Sequence, residues 1–232
     1  MRHTLLILSH LLRYPTEGLQ QAAPELLSML ELDGVLEGRQ IEKLQPLIDA
    51  IIDEELLDLQ ERYVGLFDRG RAISLHLFEH VHGESRDRGQ AMVELRSRYI
   101  AYGLEITANE LPDYLPMFLE YLSCLPLEQV LEELAQPSLI LQALAERLDE
   151  RDTLYAAPMK ILAKLAGSTG EALAIAPADD PDDLAALDAI WAEEQVRFDA
   201  PLPGGSDSAC PKAAAMIARL HAPEPARSQN HG

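Results

Sequence analysis

Leucine and its apolar equivalents recur at helical spacing through most of the first 165 residues, and this pattern most restricts what the chain can fold into. Leu5, Leu8 and Leu12 share one helical face, and Leu56, Leu59, Tyr63, Leu66 and Phe67 share another. Leu115, Phe118, Leu119 and Leu122 repeat at i, i+3, i+4 and i+7. Further stripes cover 19–32 and 35–52, and Ile161, Leu162 and Leu165 close the series. β-Branched residues are sparse, and no run of strict apolar–polar alternation is bounded by hairpin turns. The expected class is therefore all-α, a single compact bundle of roughly eight to ten helices.

Proline and glycine punctuate this pattern. Pro15 biases Tyr14 away from helix, so the first helix should stop there. Gly70, Gly103 and Gly167 read as helix ends, and Pro126 and Pro137 stand where two more helices open. Residues 74–83 read as a short helix starting at about Ser74 and closed by Gly83. Ser85 is then placed to cap a long helix carrying Ala91, Leu95, Tyr99 and Tyr102. PADDPDD, 177–183, can open a short helix running through Trp191. PLPGGSDSACP and EPARSQNHG beyond it have tail composition. The expected organisation is one helical domain over 1–192 and a flexible tail over 193–232. With 232 residues, 47% of them hydrophobic, the chain can bury one sizeable core.

Charge narrows the partners. Nineteen Lys and Arg against 39 Asp and Glu leave a formal charge of −20, which argues against nucleic acid and against an anionic lipid surface. The tail is nearly neutral, so the excess belongs to the folded body. Residues 99–150 hold ten acids against the single base Arg147. Such an asymmetry is either a solvated acidic surface or a wall for a basic partner. The apolar run LLILSHLL, 5–12, is far short of a membrane span and has no small-residue cleavage site after it, so the expected location is the cytoplasm. Cys124 among the apolar residues of a helix and Cys210 in the tail give no disulfide framework.

One stretch suggests metal chemistry. HLFEH, 76–80, matches an H-x-x-E-H pattern, in which two histidines at i and i+4 of one helix hold zinc and the glutamate activates water. The zinc hydrolase this implies would use His76, Glu79 and His80, although no third ligand stands in a matching context. The bland alternative is a surface network of Glu79, His80, Arg86 and Arg88 around a turn. No G-x-G-x-x-G, P-loop, C-x-x-C or G-x-S-x-G occurs, so nucleotide, redox and serine-hydrolase chemistry lack a starting motif. Binding is favoured over catalysis, and a generic helical adaptor is a further possibility.

A family resemblance decides among these. ERYVGLFDRGRAISLHLFEHVHGESRDRGQAM, 61–92, with ELPDYLPMFLEYLS, 110–123, and ILSHLLRYP, 7–15, closely resembles the NarJ-type assembly chaperones of respiratory nitrate reductase, also called its delta subunits. The likeness runs to about residue 165 and fades in the tail. It implies a TorD-like all-α fold, as in the wider group of redox-enzyme maturation chaperones related to TorD and DmsD. It also implies no catalysed reaction, no resident metal or other cofactor, and absence from the finished enzyme. The implied partner is the apo catalytic (alpha) subunit of nitrate reductase, bound in part through a basic, amphipathic N-terminal segment and held competent for molybdenum cofactor and iron–sulfur insertion before membrane anchoring.

Two family motifs map onto this chain: an aromatic followed by an apolar pair, at Tyr63, Leu66 and Phe67, and an acid beside an aromatic after a proline, at Pro112, Asp113 and Tyr114. In the relatives such positions border a peptide groove. Relatives of the TorD and DmsD type often carry Asp-His where this chain has Asp113-Tyr114, so no titrating imidazole stands at 114. Glu105, Glu110, Asp113 and Glu120 offer a wall complementary to a basic segment. The candidate client-binding set is Tyr63, Leu66, Phe67, Glu79, His80, Glu110, Pro112, Asp113, Tyr114 and Glu120. Tyr63, Leu66 and Phe67 could equally be core, and Asp113 a cap for the helix that follows it.

Overall fold

Each apolar stripe becomes a helix whose limits follow from local chemistry. The structure is a computed structural model, and residues 1–82, 86–106 and 110–167 are those it describes. Among them are ten α-helices: α1 Arg2–Leu11, α2 Glu17–Asp33, α3 Gly38–Asp53, α4 Leu56–Phe67, α5 Glu79–His82, α6 Arg86–Ala101, α7 Leu115–Ser123, α8 Leu127–Ala135, α9 Ser138–Glu150 and α10 Ala156–Leu165. A short 3-10 turn, Arg71–Ile73, follows α4. The all-α expectation holds over this region. The 192/193 boundary, the helix through Trp191, the tail, Gly83, Ser85 and Cys210 lie outside the described residues.

Caps explain several boundaries. The Thr16 hydroxyl accepts from the Leu19 N–H at 3.2 Å and opens α2, while Gly34 closes it at φ +63°. After α6, the N–H of Gly103 (φ +75°) donates to Ile100 O at 2.9 Å, and that of Leu104 to Tyr99 O at 3.0 Å. This pair of bonds is a Schellman closure, which requires the left-handed backbone that glycine adopts without strain. Pro24 and Pro46 lie inside α2 and α3 without ending them. Both are exposed, so the carbonyl each leaves unbonded can be met by water.

Helix α1 packs on α7 and α2, α2 on α3, α7 on α8, and α9 on α10. One core runs through them, with Leu5, Leu8, Leu12, Leu44, Leu119, Leu122, Leu141, Leu144 and Leu162 all fully buried. The buried Ser9 hydroxyl donates to Pro116 O at 2.7 Å and ties α1 to the first turn of α7. That contact carries the end of α1, and so Arg13 and Tyr14, to the segment that precedes α7.

Three local expectations are corrected. Helix α4 ends at Phe67 with Asp68 as its cap, short of Gly70. The helix expected from Ser74 begins only at Glu79. The Ser74 hydroxyl there takes the His76 N–H at 3.2 Å, and 75–77 pair with 113–115, so the backbone bonds go across to another segment instead of along a helix. Cys124 is exposed at the C-cap of α7 instead of lying among apolar residues.

Candidate functional site

The two stretches that carry the family resemblance meet in space. Leu77 N–H donates to Asp113 O at 3.0 Å and Leu115 N–H to Leu75 O at 2.8 Å, an isolated antiparallel bridge centred on His76 and Tyr114. Asp113 holds this junction from inside. Its side chain is fully buried, with one oxygen accepting from the Phe78 N–H at 3.0 Å and the other 3.3 Å from His76 Nδ1. Asp113 was expected to border a groove or to cap the next helix; it does neither, because α7 has no side-chain cap and Asp113 reaches no surface. Burial of a carboxylate is tolerated where its lone pairs are met, and here a main-chain N–H and an imidazole meet them.

His76, which the sequence offered as a zinc ligand only in the alternative reading, pairs with Asp113 instead. Its ring lies 5.4 Å from that of Tyr114, and the Asp113 carboxylate beside it raises its pKa above the ordinary histidine value, against the opposing effect of burial. Asp113 and His76 thus form an acid–imidazole pair across the junction of the two segments. The two residues stand 37 positions apart in the chain, so no local pattern reports the pairing.

The zinc pattern loses its geometry. His76 lies before α5, not on it, so the i, i+4 convergence of one helix does not exist. His76 faces Asp113, while His80 Nε2 lies 2.8 Å from Ser74 O and burial pushes its pKa down. Among the described residues no three His, Cys, Asp or Glu side chains are grouped to hold a metal ion. Glu79 pairs with Arg88 at 3.3 Å, one link of the expected network, while His80 turns to Ser74 O instead.

Tyr63 and Phe67 are core residues. Tyr63 is 4% exposed and Phe67 5%, with ring centroids 4.8 Å apart and Tyr155 packed edge-on to both. Leu66 is half-buried against the same core. Tyr63 nevertheless reaches the site from below: its hydroxyl donates to Leu12 O at 3.1 Å and shares a 2.8 Å hydrogen bond with the Tyr114 hydroxyl. Burial pushes the pKa of Tyr63 and Tyr114 up, so both stay protonated and the bond is neutral.

Above Tyr114 opens a groove of about 360 Å³ lined by Arg13, Tyr14, Thr16, Tyr99, Leu104, Glu105, Ile106, Glu110, Tyr114, Met117 and Glu120. The structure therefore unites Glu110, Tyr114 and Glu120 of the expected set with Glu105. Pro112 supports it from the side, its carbonyl accepting the Tyr99 hydroxyl at 2.7 Å. Glu79, His80, Tyr63, Leu66 and Phe67 lie off its walls. Arg13, Tyr14, Leu104, Ile106 and Met117 were missed; of these, Arg13, Tyr14 and Met117 fell in a quoted family stretch. A second cleft of about 270 Å³, mainly apolar, is lined by residues including Leu77, Phe78, Leu95, Phe118 and Ile140, with Arg98 and Glu133 paired at 2.9 Å on its rim.

Comparisons with known proteins agree with this picture. The nitrate reductase delta subunit family matches residues 16–160. The nitrate reductase molybdenum cofactor assembly chaperone NarJ of Escherichia coli K12 is 43% identical over 198 residues, 84% of this chain and 84% of its own. NarW of the same strain, assigned as another such chaperone, is 41% identical over 84% of this chain and 83% of its own. A solved structure of an Archaeoglobus fulgidus protein assigned to redox enzyme maturation superposes with a TM-score of 0.53 over 72% of this chain and 94% of its own; at 21% identity this likeness speaks for the fold alone. Sequence match and fold together place the chain in the nitrate reductase delta subunit family.

Proposed function

We propose that this chain is a dedicated assembly chaperone of respiratory nitrate reductase that works in the cytoplasm. It binds the apo catalytic subunit, including its basic amphipathic N-terminal segment, and keeps that subunit competent for molybdenum cofactor and iron–sulfur insertion before membrane anchoring. It catalyses no reaction and leaves before the enzyme is complete. The named role of the E. coli relatives supports the chaperone reading. No helix among the described residues is long and apolar enough to cross a membrane, which fits a protein that acts before anchoring.

The observation that carries the client reading is the groove itself, where Glu105, Glu110 and Glu120 stand beside Leu104, Ile106 and Met117. An amphipathic helix needs both: apolar contact for its buried face and carboxylates for its basic flank. Three or four apolar anchors at ~1.5–3 kcal/mol each must offset an association cost of roughly 4–15 kcal/mol, so moderate, releasable affinity is expected.

The test is the molybdenum content of the catalytic subunit made in cells with and without this chain. Cofactor-poor subunit in its absence, restored by the wild-type chain, is expected. Equal cofactor content with and without the chain would overturn the assembly role.

A further inference from the structure

The client groove already contains a cation. Arg13, just beyond the end of α1, places Nη1 2.9 Å from Glu120 Oε1 and Nη2 3.1 Å from Oε2, a two-pronged guanidinium–carboxylate pair. Among the described lining residues Arg13 is the one base facing three acids, and Glu105 and Glu110 have no ion-pair partner there. The pair is about one-third exposed on each side, 35% and 31%, so solvent can reach it and it can exchange.

We infer that Glu120 is the subsite for an arginine or lysine of the bound client segment, and that Arg13 is its resident occupant, which a client cation must displace. This rests on the client-groove reading above. The contacts Arg13 makes are those an incoming guanidinium would make, in the planar fork geometry that matches a carboxylate. Exchange of one Arg–Glu pair for another is nearly neutral, so the net pull of the groove on a basic segment comes from Glu105 and Glu110. Arg13 thereby sets affinity and selectivity: it repels clients in proportion to their charge, and it reseats on Glu120 as the client leaves. The arrangement follows from the fold, because α1 packs on α7, the helix that carries Glu120.

The experiment is calorimetric titration of the full chain with a peptide copying the N-terminal segment of the catalytic subunit, and with the same peptide carrying Gln for each Lys and Arg. Arg13→Gln should bind the basic peptide roughly threefold to tenfold more tightly than wild type, and the neutralised peptide no more tightly. Arg13→Lys, which keeps the charge and loses the fork, should fall between. In a Glu120→Gln background the gain from Arg13→Gln should shrink. Equal affinity of wild type and Arg13→Gln, or an undiminished gain in the Glu120→Gln background, would overturn the inference while leaving the client groove standing. Failure of every variant and of wild type to bind the peptide would overturn the groove reading and this inference with it. Circular dichroism of Arg13→Gln checks the fold, which a partly exposed pair should leave intact.

Discussion

At the scale of single residues, Asp113 separates support from recognition. Asp113→Ala leaves the Phe78 N–H without its acceptor and cuts the link to His76, which should cost about 2 kcal/mol of unfolding free energy in a urea titration. Glu110→Gln, on the exposed rim, should leave stability within about 0.5 kcal/mol of wild type. His76 gives a pH signature. Its pKa is raised in the folded state, so its contribution is fully present below the ordinary value of about 6.5 and is lost as pH rises through the folded value. His80 has the opposite sign: its lowered pKa contributes above about 6.5 and is lost as pH falls. His76→Gln should therefore flatten the decline in urea midpoint on the alkaline side while keeping the acid-side loss; an unchanged alkaline slope would mean that Asp113 does not stabilise the imidazolium.

At the scale of elements, helices were legible because their apolar positions follow a 3.6 period and their ends carry Pro or Gly. The pattern of Leu115, Phe118, Leu119 and Leu122 is α7, and Gly103 does end the α6 region. The stretch 74–78 was not legible, because its long-range hydrogen bonds go to 113–115 and no local pattern reports a partner that distant. The same limit hid the division of the site: Tyr63 and Phe67 have the composition of either core or groove, and only packing shows that both are buried, with Tyr63 bonded to Tyr114 from within the core. The groove's acids were legible as a charge asymmetry, whereas Leu104 and Ile106 gave no signal of their own. Pro46 provides an element-level test. An interior proline forgoes a helix hydrogen bond and strains the preceding turn, so Pro46→Ala should raise the stability of the chain by about 1–3 kcal/mol, read as a higher urea midpoint. A lower midpoint would mean that the proline is needed for α3 to pack on α2.

At the scale of the molecule, one core holds two chain segments together so that their junction floors an acidic, partly apolar groove. Helix α1 delivers Arg13 and Tyr14, the turn after α6 delivers Leu104, Glu105 and Ile106, and α7 with the residues before it delivers Glu110, Tyr114, Met117 and Glu120. The net charge of −20 extends the reach of this wall for a basic segment at low ionic strength and is screened as salt rises. The most direct measurement is calorimetric titration of the wild-type chain and a Glu105→Gln, Glu110→Gln double variant with the N-terminal peptide of the catalytic subunit, at low and moderate salt. Saturable one-to-one binding by wild type, weakened by salt and weakened roughly fivefold to twentyfold in the double variant at low salt, is the expected result. Binding of equal strength in both proteins, indifferent to salt, would contradict recognition of a basic client by this groove.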